Sequence, residues 1–98
     1  MPRIIRYKHA ADVFNYDMEF SDMFSNTITS ASASAVDSAN ASATSTVMGT
    51  ASVNGTKVRC QLKAGTNLED YTCTFTAITT NSDVFQKTLM MRVRNTLE

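Results

Sequence analysis

Tyr71-Thr72-Cys73-Thr74-Phe75-Thr76-Ala77 decides the fold, because it alternates without a break. Tyr71, Cys73, Phe75 and Ala77 point one way, and Thr72, Thr74 and Thr76 the other. A period of two with β-branched residues on the polar side is the mark of a strand that buries one face. The pattern recurs on both sides. C-terminally, Asn81-Ser82-Asp83 turns the chain into Phe85 to Arg94, which places Leu89, Met91 and Val93 inward and Thr88, Met90, Arg92 and Arg94 outward. N-terminally, Ala64-Gly65-Thr66-Asn67 is a turn, preceded by Lys57 to Leu62 and Ser45 to Val53 as paired strands. Between those two lies Asn54-Gly55, both residues tolerant of the positive φ that a type I′ hairpin turn demands.

Further upstream, Asn15 to Phe20 alternates again, with Tyr16, Met18 and Phe20 on the apolar side. Ser21-Asp22-Met23-Phe24 reads as a turn in which Ser21 can cap one helical turn. Ile4 to Tyr7 is a first strand, and His9-Ala10-Ala11-Asp12 a loop. The segment from Thr27 to Val47 is almost all Ser, Ala and Thr. A strand over Ser30 to Ala35 is preferred, because the period is two and serine disfavours helix interiors. Helix, from the alanine content, and a flexible linker remain as alternatives. Asp37-Ser38-Ala39-Asn40 is a turn in every case. About seven short strands, separated by turn signals and with no convincing helix, predict an all-β fold: an antiparallel immunoglobulin/fibronectin-III-like sandwich.

The chain of 98 residues, 43% hydrophobic, suits a single domain over residues 1–96. Leu97-Glu98 reads as an expression-vector remnant. No apolar run reaches the 18 or so residues of a membrane span, and the N-terminus lacks the apolar core of a secretion signal. Synthesis in a bacterial cytoplasm is therefore expected. Zero formal charge argues against nucleic acid or an anionic membrane as the main partner. The charge is nonetheless segregated. No Lys or Arg occurs from His9 to Thr56, a window that holds Asp12, Asp17, Glu19, Asp22 and Asp37.

Nothing in the sequence assembles a reaction centre. His9 is the one histidine, and it has neither a second histidine nor a cysteine pair at metal-ligand spacing. Asp17 with Glu19, or Glu69 with Asp70, reads as a solvated face, since adjacent strand residues point apart and no activating neighbour is evident. Gly49, Gly55 and Gly65 are too scattered for a phosphate loop. No cofactor, metal or small-molecule substrate is expected. Asn40-Ala41-Ser42 and Asn54-Gly55-Thr56 match the glycosylation sequon by chance in a chain without a secretion signal. Cys60 and Cys73 both fall on inward positions. They could form an inter-sheet bridge or remain free buried thiols, and cytosolic synthesis favours the thiols. Tyr71, two residues before Cys73 and just after a corner, stands where a tyrosine corner would pin the strand crossing.

Lys8, Asp12-Val13 and Tyr16, the Ser21-Asp22 turn, Thr27-Ile28 with Ser30, the Thr-rich strand Thr72 to Thr80 and the closing Arg92-Val93-Arg94 follow one outline across nearly the whole chain. In that outline the chain resembles small, immunoglobulin-like, virion-associated structural proteins of tailed bacteriophages. It departs from them at Ala11, where proline is usual, and in a Ser/Ala strand without its aromatic residue. The resemblance implies a non-enzymatic head, tail or head–tail junction component that touches other virion proteins and, as a homo-oligomer, itself. The alternative is a bacterial immunoglobulin-like module for protein or carbohydrate adhesion. In such topologies the first and last strands are neighbours, which would gather Arg3, Arg6, Lys8, Arg92 and Arg94 on one basic edge, away from Asp12, Asp17, Glu19 and Asp22. Opposite patches of this kind suit a head-to-tail contact. The plainer account is that the charges guard an edge strand against aggregation.

Overall fold

In a computed structural model, which describes residues 4–22 and 27–95, alternation becomes two facing sheets. The strands are β1 (Ile4–Lys8), β2 (Phe14–Glu19), β3 (Ile28–Val36), β4 (Ser52–Asn54), β5 (Lys57–Leu62), β6 (Asp70–Thr79) and β7 (Val84–Val93), with one helical turn, α1 (Thr44–Val47), between β3 and β4. One sheet runs β1-β7-β6-β3 and the other β2-β5-β4. All neighbours are antiparallel except β1 and β7, which run parallel with Lys8 opposite Val93. This makes a seven-stranded sandwich.

The core lies where the periods predict. Tyr71, Cys73, Phe75 and Ala77 of β6 and Leu89, Met91 and Val93 of β7 face Met18, Phe20, Val58, Cys60 and Leu62 from the other sheet, all of them buried. Tyr16 leans against Phe75 with ring centroids 5.8 Å apart, a separation at which aromatic pairs attract. The Ser/Ala segment is a strand. Ala31, Ala33 and Ala35 pair with Ala77, Phe75 and Cys73, so the small side chains let β3 lie close against the core.

Two local expectations are corrected. Ser45 to Val53 is not one strand: it begins in α1, touches β5 at the isolated bridge Met48–Leu62, and is regular only over β4. The Thr44 hydroxyl accepts from the N–H of Ala35, which anchors the helical turn and buries Val47. A straight strand would have turned every second residue of that segment to solvent. The hairpin turn is shifted by one residue. Asn54 stays in β4 opposite Lys57, and the loop is Gly55-Thr56, with φ +64° at Gly55. Positive φ at the first central residue alone belongs to a type II′ turn, not type I′. The register follows from burial of Val58, Cys60 and Leu62, since a slip of one residue would expose all three. At Ser21 the backbone N–H donates to the Glu19 carboxylate; the helical turn that Ser21 was expected to cap runs into Met23 and Phe24. Met23, Phe24, Arg3, Leu97 and Glu98 lie outside the described residues.

Candidate functional site

The parallel β1–β7 pair puts first and last strands side by side, but strand parity divides the basic residues. In a parallel ladder, residues in register share a face. Arg6 and Lys8 are opposite Met91 and Val93, hence on the inner side, whereas Tyr7 is opposite Arg92 on the outer side. Arg6 lies over the Phe14 ring with its Cζ 4.7 Å from the centroid, a cation–π contact that bridges the two sheets. Lys8 is buried at 2% exposure, and its ammonium donates to the carbonyls of His9 and Ala64, each at 2.7 Å. Burial lowers the Lys8 pKa, and the nearby charge of Asp12 partly offsets that. Lys8 is therefore a structural tie across the Ala64 corner. It is not part of an exposed basic edge.

Arg92 and Arg94 do share the outer face, where both meet Asp70. Arg94 Nη2 is 2.9 Å from one carboxylate oxygen and Arg92 Nε 3.8 Å from the other. The acids are matched in the same way. Asp17 accepts two hydrogen bonds from Arg59, directly opposite on β5, and these hold its pKa below the usual carboxylate range. Glu19 accepts from the Thr56 hydroxyl and the Ser21 N–H, which lower its pKa to about 2, the Thr56 bond foremost. Asp22 pairs with Lys87 at 2.6 Å and is lowered by that bond. Lys87 also lies 5.6 Å over the Phe20 ring. The segregation seen along the chain is thus cancelled in space at Asp17 and Asp22, which meet Arg59 and Lys87.

Arg59, Lys87, Asp70 and Thr56, which answer these charges, were not among the residues expected to matter. The one local signal was for Arg59, which has the outward parity of its strand as Asp17 has on β2. Choosing that partner needs the non-local β2–β5 register.

The structural residues sit as follows. The Tyr71 phenol accepts a hydrogen bond from the Thr66 N–H at 3.0 Å. Cys60 and Cys73 are free buried thiols; burial, reinforced by the charge Cys60 would carry, pushes the Cys73 thiol up to about 12. Asn54 and Gly55 form the β4–β5 hairpin. Among the described residues no three His, Cys, Asp or Glu side chains gather as metal ligands would, and no helix is long and apolar enough to cross a membrane.

The surface also presents strand edge and apolar side chain. Ile4, Ile5 and Tyr7 of β1 are 39%, 48% and 49% exposed, and β1 and β3 are the two edges of the larger sheet. Such a surface can hold another protein. A sequence model of the family described as Podophage GP4 fiber-tail adaptor protein gp77 matches residues 8–92. No curated protein and no solved structure matches the chain.

Proposed function

The chain belongs to the podophage fiber-tail adaptor family, which makes it a phage virion structural protein, and from that premise we propose that it joins a fiber to the tail by protein–protein contacts, without catalysis. The family match over residues 8–92 is the observation that carries this reading. The surface supports it. Several of its charged side chains are paired with neighbours in the same chain, and it presents sheet edges and exposed apolar residues, the materials of a docking surface.

The strand order supports an immunoglobulin-like reading of the sandwich. With β1 to β7 labelled A to G, β2-β5-β4 is B-E-D and β3-β6-β7 is C-F-G, with strand A moved beside G. A sandwich of this kind is a rigid spacer whose edges and end loops are free for partners. Its place would be the virion tail, with other virion proteins as partners. The adhesion-module alternative has no comparable observation in its favour.

Two measurements test the proposal. Mass spectrometry of purified particles, separated into heads and tails, should find the chain with the tails. Electron microscopy of particles assembled without it should show filled heads and tails that lack fibers. Particles that carry their full fibers without the chain would sink the adaptor role.

A further inference from the structure

The sandwich has four strand edges, and they are protected unequally. An open edge presents unpaired N–H and C=O groups, which natural sheets cover with charge, brevity or distortion. β4 is three residues long, and β2 carries Asp17 and Glu19. β3 is nine residues of Ile, Thr, Ser, Ala and Val without one charge. The side of β3 that each residue addresses follows from its bonds. Ala35 accepts from the Ala43 N–H at 2.9 Å and donates to the Thr44 hydroxyl, both on the side away from β6. With the period of two, Ala33 and Ala31 address that same side, where their backbone groups make no hydrogen bond among the described residues, although β4 of the other sheet packs near β3.

β1 has the complementary edge. Lys8 accepts from the Arg94 N–H, so Lys8, Arg6 and Ile4 address β7, while Ile5 and Tyr7 address the open side. Its two charges do not guard that edge: Arg6 covers Phe14 and Lys8 is buried. β1 and β3 also run in the same direction, because β1 is parallel to β7 and both β7 and β3 are antiparallel to β6.

We propose that copies of this chain join head to tail by strand addition, β1 of one copy lying parallel along the open β3 edge of the next. Placing Arg6 opposite Ala33 lets the Ile5 N–H donate to the Ala31 carbonyl, the Ala33 N–H to the Ile5 carbonyl and the Tyr7 N–H to the Ala33 carbonyl. Ile5 and Tyr7 then lie beside Ser32 and Ser34, whose small side chains leave room for them. The sheet continues from copy to copy with its twist, and each junction closes one edge of each kind. Pairing two β3 strands with one another would set small side chains against small ones and leave the apolar β1 edges in water. A head-to-tail contact closes as a ring or runs on, according to the rotation at each step. The contact uses backbone and neutral side chains, so salt should not dissolve it, unlike a contact between exposed opposite charges.

The inference goes beyond the adaptor reading and does not depend on it. Its test is cysteine pairing between Ile5→Cys and Ser32→Cys variants of the full chain, with sedimentation of the wild type and of Ser32→Lys over a range of concentration at low and high salt. The native thiols are buried and will not confuse the pairing. Mixing the two cysteine variants under mild oxidant should give disulfide-linked dimers that neither gives alone. The wild type should sediment faster as concentration rises at both salt levels. Ser32→Lys, which adds a charge at an exposed edge position without disturbing the core, should lose that association. Crosslinking of Ser32→Cys with itself would show β3–β3 pairing and overturn the proposal. So would association without the mixed crosslink, or a wild type that stays monomeric throughout. A monomer would leave the adaptor role standing, whereas fully fibered particles without the chain would remove that role and leave the edge contact untouched.

Discussion

The Tyr71 hydroxyl and the Thr66 N–H are 3.0 Å apart, and this bond ties the corner between β5 and β6 from inside the core. Tyr71 is 4% exposed, so the bond is shielded from water. Gly65 makes the approach possible: its φ is +100°, and a Cβ there would stand 2.7 Å from Val93 Cγ2 and 3.4 Å from the Tyr71 ring. Tyr71→Phe leaves the Thr66 donor without its partner and should cost about 1–3 kcal/mol in urea unfolding. Gly65→Ala meets both backbone strain and a side-chain collision and should cost about 2 kcal/mol or more. A Tyr71→Phe variant as stable as the wild type would mean that water replaces the phenol at no cost.

The hairpin offers a sharper contrast between neighbours. Positive φ is required at Gly55 and not at Asn54. Gly55→Ala should lower stability by about 1 kcal/mol, and Asn54→Ala should stay within about 0.5 kcal/mol of the wild type. Equal losses at both positions in chemical denaturation would favour the I′ turn over the one described.

Acid should weaken the fold through the β2 face. Glu19 falls from 4.5 to about 2 in the folded chain, chiefly through its bond from Thr56, and Asp17 and Asp22 are lowered too. A folded-state pKa below the unfolded value means that the unfolded chain takes up the proton more readily. The stabilisation is therefore complete above about pH 4.5 and is lost as pH falls toward 2. Urea midpoints measured across that window should decline, and Glu19→Gln should flatten the decline. An unchanged slope in Glu19→Gln would show that Glu19 does not contribute to it.

Both cysteines should be slow to react while the protein is folded. The reactive species is the thiolate, and burial disfavours it at Cys60 and still more at Cys73, at about 12. At neutral pH a soluble thiol reagent should modify neither residue quickly in native protein and both promptly in denaturant. Intact mass should match two free thiols. A mass two units lower would reveal a bridge, and rapid native labelling would mean that the strands open locally.

The family's stretch of the fold was largely legible in the residues because inward and outward parity is a property of a few neighbours along the chain. Alternation at Tyr71 to Ala77, at Tyr16 to Phe20 and at Leu89 to Val93 named the buried faces, and even the Ser/Ala run could be read as a strand from its period. Tyr71 and both cysteines could be singled out in the same local way. The candidate assembly surface was less legible. Whether a charge is free depends on what lies across the sheet, and only the β2–β5 register sets Arg59 against Asp17. Only the sandwich brings Lys87 to Asp22, Asp70 to Arg92 and Arg94, and Lys8 into contact with the carbonyl of Ala64. The α1 turn and the one-residue shift at Gly55 belong to the same class, since burial of Val47 and of Val58, Cys60 and Leu62 decides them from across the core. The sequence by itself determined which side chains seek the interior; the tertiary structure alone decided which charges pair, because Asp17 and Arg59, Asp22 and Lys87, and Asp70 and Arg94 are separated by tens of residues and meet only when the strands assemble.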